Sequence, residues 1–381
     1  MAKSLLKIPT ESKKPKSSKI DELGSDMMSA VNKKFKDIPN AFQMLSEANL
    51  VTEWVSSGSD ILDIAISNIP NGGYGYGTFV ELNGLQGSGK SLLAAHVLAE
   101  TQKQGGLAVL YDTEKAVSKL DFYESFGLDA AKAWYTDKVR ALEDVFESME
   151  TIIEKYINSG TDRRMTIVVD SVMGASTKAE MEGKYSVAGY DTDKAKILSK
   201  AARKLPSLVN GRNILIIFIN QLKENMNAVG FGADPYKTTG GTAVAFLCHV
   251  RIRTKVIKKL AVKDGEEYGT RIEAKVVKNR LGPKGRSVHL DVYYDHGIDN
   301  YGSWLQTMKD KGIVKQAGAY YSYNVNGEEV RFMSKEFRKL LENGTLPKQE
   351  LYDKICEACI MKYKVNDDFG IDDVYEIENE D

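Results

Sequence analysis

Cysteine is scarce in this sequence: Cys248, Cys356 and Cys359 are the only three among 381 residues. Three cannot build a disulfide framework, and an odd count suits a reducing compartment, so free thiols are expected. Cys356 and Cys359 form a C-x-x-C pair, but no second ligand pair stands at zinc spacing. Two buried thiols on a helix are the expectation instead. The four histidines, His96, His249, His289 and His296, are scattered without metal or triad spacing and take no role. No apolar run approaches the roughly 20 residues that cross a bilayer, and the opening MAKSLLKIPTESKKPKSSK lacks the apolar segment of a secretory signal. A membrane partner is not expected, and a cytoplasmic location is. No internal repeat is present.

Net charge is nearly absent too. The chain carries 52 basic and 53 acidic side chains, a formal charge of −1. The distribution is uneven: residues 1–19 hold six lysines against Glu11, while residues 365–381 hold eight acidic groups and no Lys or Arg. About two positive charges remain between the tails, so any affinity for nucleic acid has to be local. The basic tail (1–19) reads as disordered, either a solvated end or a contact for DNA or a partner. The acidic tail (365–381) reads as a solvated end or a competitor with DNA for basic loops. A 42% hydrophobic content can fill one large core and a smaller lobe. Residues 20–50 show two helical runs, near 20–35 and 41–48, that serve either as a cap on the core or as an arm docking on a neighbouring subunit. The core is expected over 51–297 and the small lobe over 298–364, with a tyrosine-rich hairpin turning at Asn326-Gly327.

The stretch 78–91, TFVELNGLQGSGKS, organises everything else. A β-type run breaks into glycines and then into the helical pattern SLLAAHVLAE. Gly84, Gly89, Lys90 and Ser91 fill the fixed places of G-x-x-x-x-G-K-[ST], in which backbone N–H groups close around phosphate oxygens. Lys90 would reach the β- and γ-phosphates, Ser91 would hold Mg²⁺, and the helix N-terminus would add its positive dipole end. Three further runs, LAVLYDTE (107–114), MTIVVDS (165–171) and NILIIFINQ (213–221), look like buried parallel strands separated by helices. That alternation predicts an α/β layered fold with a mainly parallel sheet. After Gly240 the segments FLCHVRIRTKVIKKL, TRIEAKVVKNR and RSVHLDVYYDHGI are β-branched and predict an antiparallel extension of the sheet.

Ligands of such sheets sit at the carboxyl ends of strands, where this sequence puts Glu114, Asp170-Ser171 and Asn220-Gln221. Asp170 is placed to hold Mg²⁺, and Glu114 to deprotonate the water that attacks a γ-phosphate or else to begin the next helix as a surface carboxylate. Gln221 is either a γ-phosphate sensor or a hydrogen-bonded strand end. Two long polar, glycine-punctuated segments leave the sheet at the same end, 180–194 with Lys184 and Tyr190, and 224–241. Each is either a plain mobile loop or a single-stranded nucleic-acid contact. Lys278 and Arg280 are a solvated pair, or cationic fingers acting on the nucleotide of an adjacent subunit.

The run TIVVDSVMGASTKAEMEG, the block LIIFINQ, the closing TTGG of the second loop, KVVKNR and AGAYYSY stand in one order over Val51 to Tyr323. Together they resemble the RecA family of strand-exchange recombinases of bacteria and phages. The resemblance implies a RecA-like P-loop ATPase core carrying an N-terminal helical arm and a small C-terminal α+β lobe. It also implies ATP and Mg²⁺ as cofactors, and a DNA-dependent ATPase that polymerises head-to-tail on single-stranded DNA and exchanges strands with a homologous duplex. Single-strand-binding and mediator proteins are further implied partners, and the setting is a bacterial cytoplasm or that of a phage host. By position, Gly84, Leu85, Gln86, Gly87, Ser88, Gly89, Lys90 and Ser91 correspond to the family's phosphate loop. Glu114 corresponds to its catalytic glutamate, Asp170 to its Mg²⁺-associated aspartate, Gln221 to its sensor, and Lys278 and Arg280 to its basic pair. Arg280 stands where bacterial members usually have lysine. Phe122 and Tyr123 are alternatives for stacking on adenine, because the stretch after Glu114 is one residue longer than usual. Arg203, Lys223, Gly240 and Gly241 match positions at the DNA loops, with Tyr190 and Met226 as base wedges, Phe231 as loop anchor, and Phe246 at the subunit interface. A ring helicase on the same core, or a nucleotide-binding regulatory protein or kinase, would share the phosphate loop.

Overall fold

The computed structural model describes residues 19–36, 41–43, 45, 50–117, 120–183, 191–224, 236–238, 242–261 and 265–363. The chain divides into two compact units, Met1–Leu50 and Val51–Asp381. In the first, helix α1 (Lys19–Lys34) leaves Leu23 and Met27 exposed, and ends on Lys33 and Lys34, which suit the negative end of its dipole. Asn32 clamps the Phe42 backbone through both its amide nitrogen (2.8 Å) and its amide oxygen (2.7 Å). The second expected run, 41–48, lies largely outside the described residues.

In the second unit, β1 (Trp54–Val55) and β2 (Tyr74–Gly75) form a small ribbon around α2 (Asp60–Ser67). The main sheet is built from β3 (Thr78–Gly84), β4 (Leu107–Asp112), β5 (Trp134–Thr136), β6 (Met165–Asp170), β7 (Ile214–Glu224), β9 (Val250–Ala261), β10 (Glu267–Asn279), β11 (Ser287–Tyr293) and β12 (Gly297–Ile298). Across it the order is β12-β11-β10-β9-β3-β7-β6-β4-β5, with β8 (Tyr236–Thr238) paired to the far end of β7. Between the strands run α3 (Lys90–Lys103), α4 (Asp121–Glu124), α5 (Leu142–Asn158), α6 (Lys178–Glu182), α7 (Asp191–Val209) and α8 (Ala243–Leu247).

The central strands are apolar along nearly their whole length because both faces are covered. Val80, Leu82, Leu110, Val168, Ile217 and Ile219 pack with α3 on one face. Phe79, Val109, Tyr111, Ile167, Val169, Ile216 and Phe218 pack with α5 and α7 on the other. Strands β3, β7, β6 and β4 are parallel, as their composition predicted, and β5 adds a fifth parallel strand that the sequence did not announce. The extension differs from its expected form at one strand. β9 runs parallel to β3 and only its other side meets β10 in antiparallel register, because the chain crosses back to the amino end of β3 through α8 before entering β9. From β10 outward the pairing is antiparallel.

The remaining elements are α9 (Asn300–Asp310), the three-stranded sheet β13 (Lys315–Ala317), β14 (Tyr320–Val325) and β15 (Glu328–Met333), then α10 (Phe337–Glu342) and α11 (Lys348–Cys359). The β14–β15 turn falls on Asn326 and Gly327, both at positive φ (53° and 95°), as a two-residue hairpin of this composition demands. Trp304, Phe332, Phe337, Tyr352 and Ile355 join the same apolar cluster as α3. On α11, Cys356 is buried but Cys359 is only half-buried, so one of the two thiols departs from expectation.

Candidate nucleotide site

Strand β3 ends at Gly84, where a Cβ would overlap Ser88 Oγ and Thr254 Oγ1. Only glycine fits there. Gly87 and Gly89 take φ of 72° and 87°, the left-handed region that glycine enters without strain. Gly89 caps α3 with no side chain, which leaves the first-turn N–H groups facing the loop. Ser88 Oγ donates to the Leu85 carbonyl and lies 2.7 Å from Thr254 Oγ1, tying the loop to β9. Lys90 is buried, its ammonium on the carbonyls of Gly84 (3.1 Å) and Leu85 (2.7 Å). Burial holds its pKa down, an effect the carboxylates of Asp170 and Glu114 partly offset.

Ser91 Oγ donates to Asp170 Oδ2 at 2.6 Å, joining the start of α3 to the end of β6. Burial pushes the Asp170 carboxyl up to about 6; the Ser91 bond and the Lys90 ammonium oppose this, and the nearby charges of Glu114 and Asp112 add to it. Two residues past β4, Glu114 Oε1 accepts from Ser171 Oγ and from Gln221 Nε2, the latter at 3.0 Å. The ends of β4, β6 and β7 therefore converge on one carboxylate. Thr113 locks the same corner: its Oγ1 donates to the Ser171 carbonyl (2.6 Å) and accepts the Ser171 N–H (3.0 Å). Gly174 lies beneath, with space for no side chain.

Phe122 and Tyr123 separate by burial. Tyr123 is 9% exposed and sits in the core cluster, whereas Phe122 is 38% exposed, edge-on to Tyr123 and Phe126. Of the two, Phe122 presents an accessible ring. Arg203 on α7 and Lys223 near the end of β7 are exposed. Lys184, Tyr190, Met226, Phe231, Gly240 and Gly241 lie outside the described residues.

Lys278 and Arg280 are not brought to this site. Lys278 pairs in register with Arg251, which faces Glu81, and Arg280 N–H donates to the His249 carbonyl, whose own N–H bonds Phe79. Arg280 thus stands level with Phe79, five residues before Gly84, about 16 Å along the strands and two strands across. Lys278 Nζ donates to the carbonyls of Ala245 (2.7 Å) and Phe246 (3.1 Å) at the end of α8, and Phe246 is exposed beside it.

Sequence reasoning passed over Thr254, Thr113, Gly174 and the Tyr135–Asp112 contact. Each acts through a partner on another strand, and none carries a local spacing signal.

A model of the RecA N-terminal domain matches residues 24–299. Protein RecA of Treponema denticola is 34% identical over 271 residues, 71% of this chain and 62% of that protein, so the chain spans less than two thirds of that relative. Protein RecA of Oleidesulfovibrio alaskensis is 31% identical over 86% of this chain and 88% of its own length. Protein RecA of Staphylococcus carnosus is 34% identical, with 79% of this chain and 80% of that protein covered.

Proposed function

The chain belongs to the RecA family, and from that premise we propose that it is an ATP-dependent recombinase acting in the cytoplasm. It polymerises on single-stranded DNA and exchanges strands with a homologous duplex. One observation carries the reading: the glycine loop with Lys90, Ser91, Asp170, Glu114 and Gln221 gathers at the carboxyl end of the sheet, while Lys278 and Arg280 stand two strands across and about 10 Å and about 16 Å away along the strands. A side chain cannot bridge that span. A cation at this position serves a triphosphate only when it reaches the next copy's loop, and contact between unlike faces builds an open filament when the rotation does not close.

The loop fits a triphosphate. Its glycines leave a cradle that a Cβ at Gly84 would fill, and the uncapped N-terminus of α3 offers unpaired N–H donors. Ser91 and Asp170 present oxygen ligands of the kind Mg²⁺ takes, and Mg²⁺ when bound supplies neutralisation of the phosphate oxygens. Lys90 exchanges its carbonyl partners for phosphate. Phe122 offers its open ring to adenine. Glu114 accepts a proton at Oε1 from the attacking water, and Gln221, bonded to the same atom, reports γ-phosphate occupancy to the loop that follows β7. Lys223, Arg203 and the two loops hold the DNA backbone, so recognition of sequence comes from base pairing between strands.

Among the described residues the sheet also has an open flank. β5 is its outermost strand, with Trp134 and Tyr135 about half exposed, beside an apolar cavity of about 400 Å³ lined by Leu98, Leu110, Tyr123 and Leu128. An apolar arm of a neighbouring copy fits that flank, and the exposed Leu23 and Met27 of α1 are of the right chemistry.

Negative-stain microscopy with single-stranded DNA, with and without a non-hydrolysable ATP analogue, tests the reading. Extended helical filaments that need the analogue are expected. Closed hexamers that unwind duplex directionally would point to a ring motor. ATP turnover indifferent to single-stranded DNA would point to a nucleotide-binding regulator.

A further inference from the structure

A polar contact at the outer edge of the sheet takes no part in the steps above. Glu114 sits in a tight bend after β4, and one buried carboxylate closes that bend. Asp112 Oδ1 accepts the Ala116 N–H and Oδ2 the Val117 N–H, each at 3.0 Å. Inside it Lys115 takes φ 54°, a left-handed conformation uncommon outside glycine. The bend is therefore under some strain and depends on what holds it. A third donor comes from outside: the Tyr135 hydroxyl on β5 reaches Asp112 Oδ2 at 3.1 Å. Only from this bend does Glu114 meet Ser171 and Gln221.

We infer that Tyr135, acting through Asp112, is a positioning residue for Glu114: its hydroxyl fixes the carboxylate that closes the bend and so aims the base at its water. The inference rests on the assignment of Glu114 as the base of ATP hydrolysis. Without the hydroxyl, Asp112 keeps its two backbone donors but can turn about them, and the bend loosens. Lys90 and Ser91 stand on α3 and do not share this support, so nucleotide binding is spared while the chemical step slows.

The test uses the full chain with saturating single-stranded DNA and Mg²⁺-ATP. Tyr135→Phe should lower kcat about ten-fold, with KM, the Kd of a non-hydrolysable analogue and the thermal unfolding midpoint all at parent values. A parent-like kcat overturns the inference. So does a fall in kcat accompanied by lost analogue affinity or a lower midpoint, which marks a merely structural tyrosine. Glu114→Gln is measured alongside: if it still turns over ATP, the assignment of the base has failed. If it is inactive while Tyr135→Phe matches the parent, only the positioning role has failed.

Discussion

Replacing Gly174 by alanine adds one methyl group under the proposed base and little else. The glycine's φ lies outside the left-handed region, so the backbone admits alanine. The new Cβ would lie 2.5 Å from Glu114 Cγ, 3.1 Å from Thr113 Oγ1 and 3.2 Å from Glu114 Oε1. Non-bonded carbons rest at about 3.5–4.0 Å, so the Glu114 side chain has to retreat by about 1 Å or swing away. Either movement breaks its 3.0 Å bond from Gln221. A misplacement of about 1 Å in a catalytic group costs about 100-fold in rate, close to 2.7 kcal/mol of barrier. Crowding at the site should also lower stability by about 1–3 kcal/mol. Steady-state ATP turnover with single-stranded DNA reads the first effect, and equilibrium binding of a non-hydrolysable analogue provides the control. Binding should hold, because Lys90, Ser91 and the glycine loop do not touch Gly174. A kcat within about two-fold of the parent would refute the placement of Glu114 at the reacting centre.

The separation of Lys278 and Arg280 from their own phosphate loop predicts complementation. Lys278→Ala/Arg280→Ala alone should lose turnover about 1,000-fold or more, yet an equal mixture with Lys90→Ala should recover activity at about a quarter of the seams, where both intact halves meet; no recovery would exclude action in trans. Arg203→Ala and Lys223→Ala should each flatten the salt dependence of single-stranded DNA binding by about 0.7 in log–log slope, and an unchanged slope would remove that residue from the DNA contact. Asp63 supplies a pH test. Burial pushes its carboxyl from 3.8 to about 7, against the opposing bonds from Ser56 and Ser57. The folded chain therefore binds this proton more tightly than the unfolded chain, so the stabilisation is complete below 3.8 and is lost as pH rises through about 7. Asp63→Asn should flatten the decline of the unfolding midpoint over that interval; an identical pH profile would contradict it.

What could be read from the residues alone was whatever local geometry dictates. The phosphate loop is legible because its glycines are required within eight consecutive positions, and the central strands because burial on both faces makes them apolar along nearly their whole length. The direction of β9 was not legible. Strand direction depends on where α8 leaves the chain, and β-branched composition is the same for either direction. β5 was missed as well: three residues, Trp134–Thr136, with half-exposed aromatics, give neither alternation nor an apolar run. Glu114, Asp170-Ser171 and Gln221 were found individually at strand ends, but the contact of Ser171 with Glu114 and the parts of Thr113 and Gly174 enter only once β4 and β6 lie side by side. Phe122 and Tyr123 could not be ordered by spacing, since adjacent residues at a helix start differ only in which one faces the core.

The free protomer shows why assembly and nucleotide should depend on one another on this reading. Lys278 rests its ammonium on the Ala245 and Phe246 carbonyls, a neutral pairing at the end of α8. Burial depresses its pKa and the neighbouring Arg280 charge depresses it further, so the pair is repulsive as it stands. A neighbour's polyphosphate would replace neutral carbonyls with charged acceptors, whose bonds are about twice as strong, and would relieve the repulsion. Release of Lys278 also uncaps α8, which begins at Ala243 just beyond the second loop. The same helix is therefore joined at its start to the segment proposed to contact DNA and at its end to the cation pair. On the proposed reading, DNA that fixes the loop would bias Lys278 toward or away from the next copy's triphosphate, and by linkage the triphosphate would bias the loop by an equal free energy. Single-stranded DNA should for that reason strengthen subunit contacts only when nucleotide is present, a dependence that a protomer with both halves of its site on one face would not have.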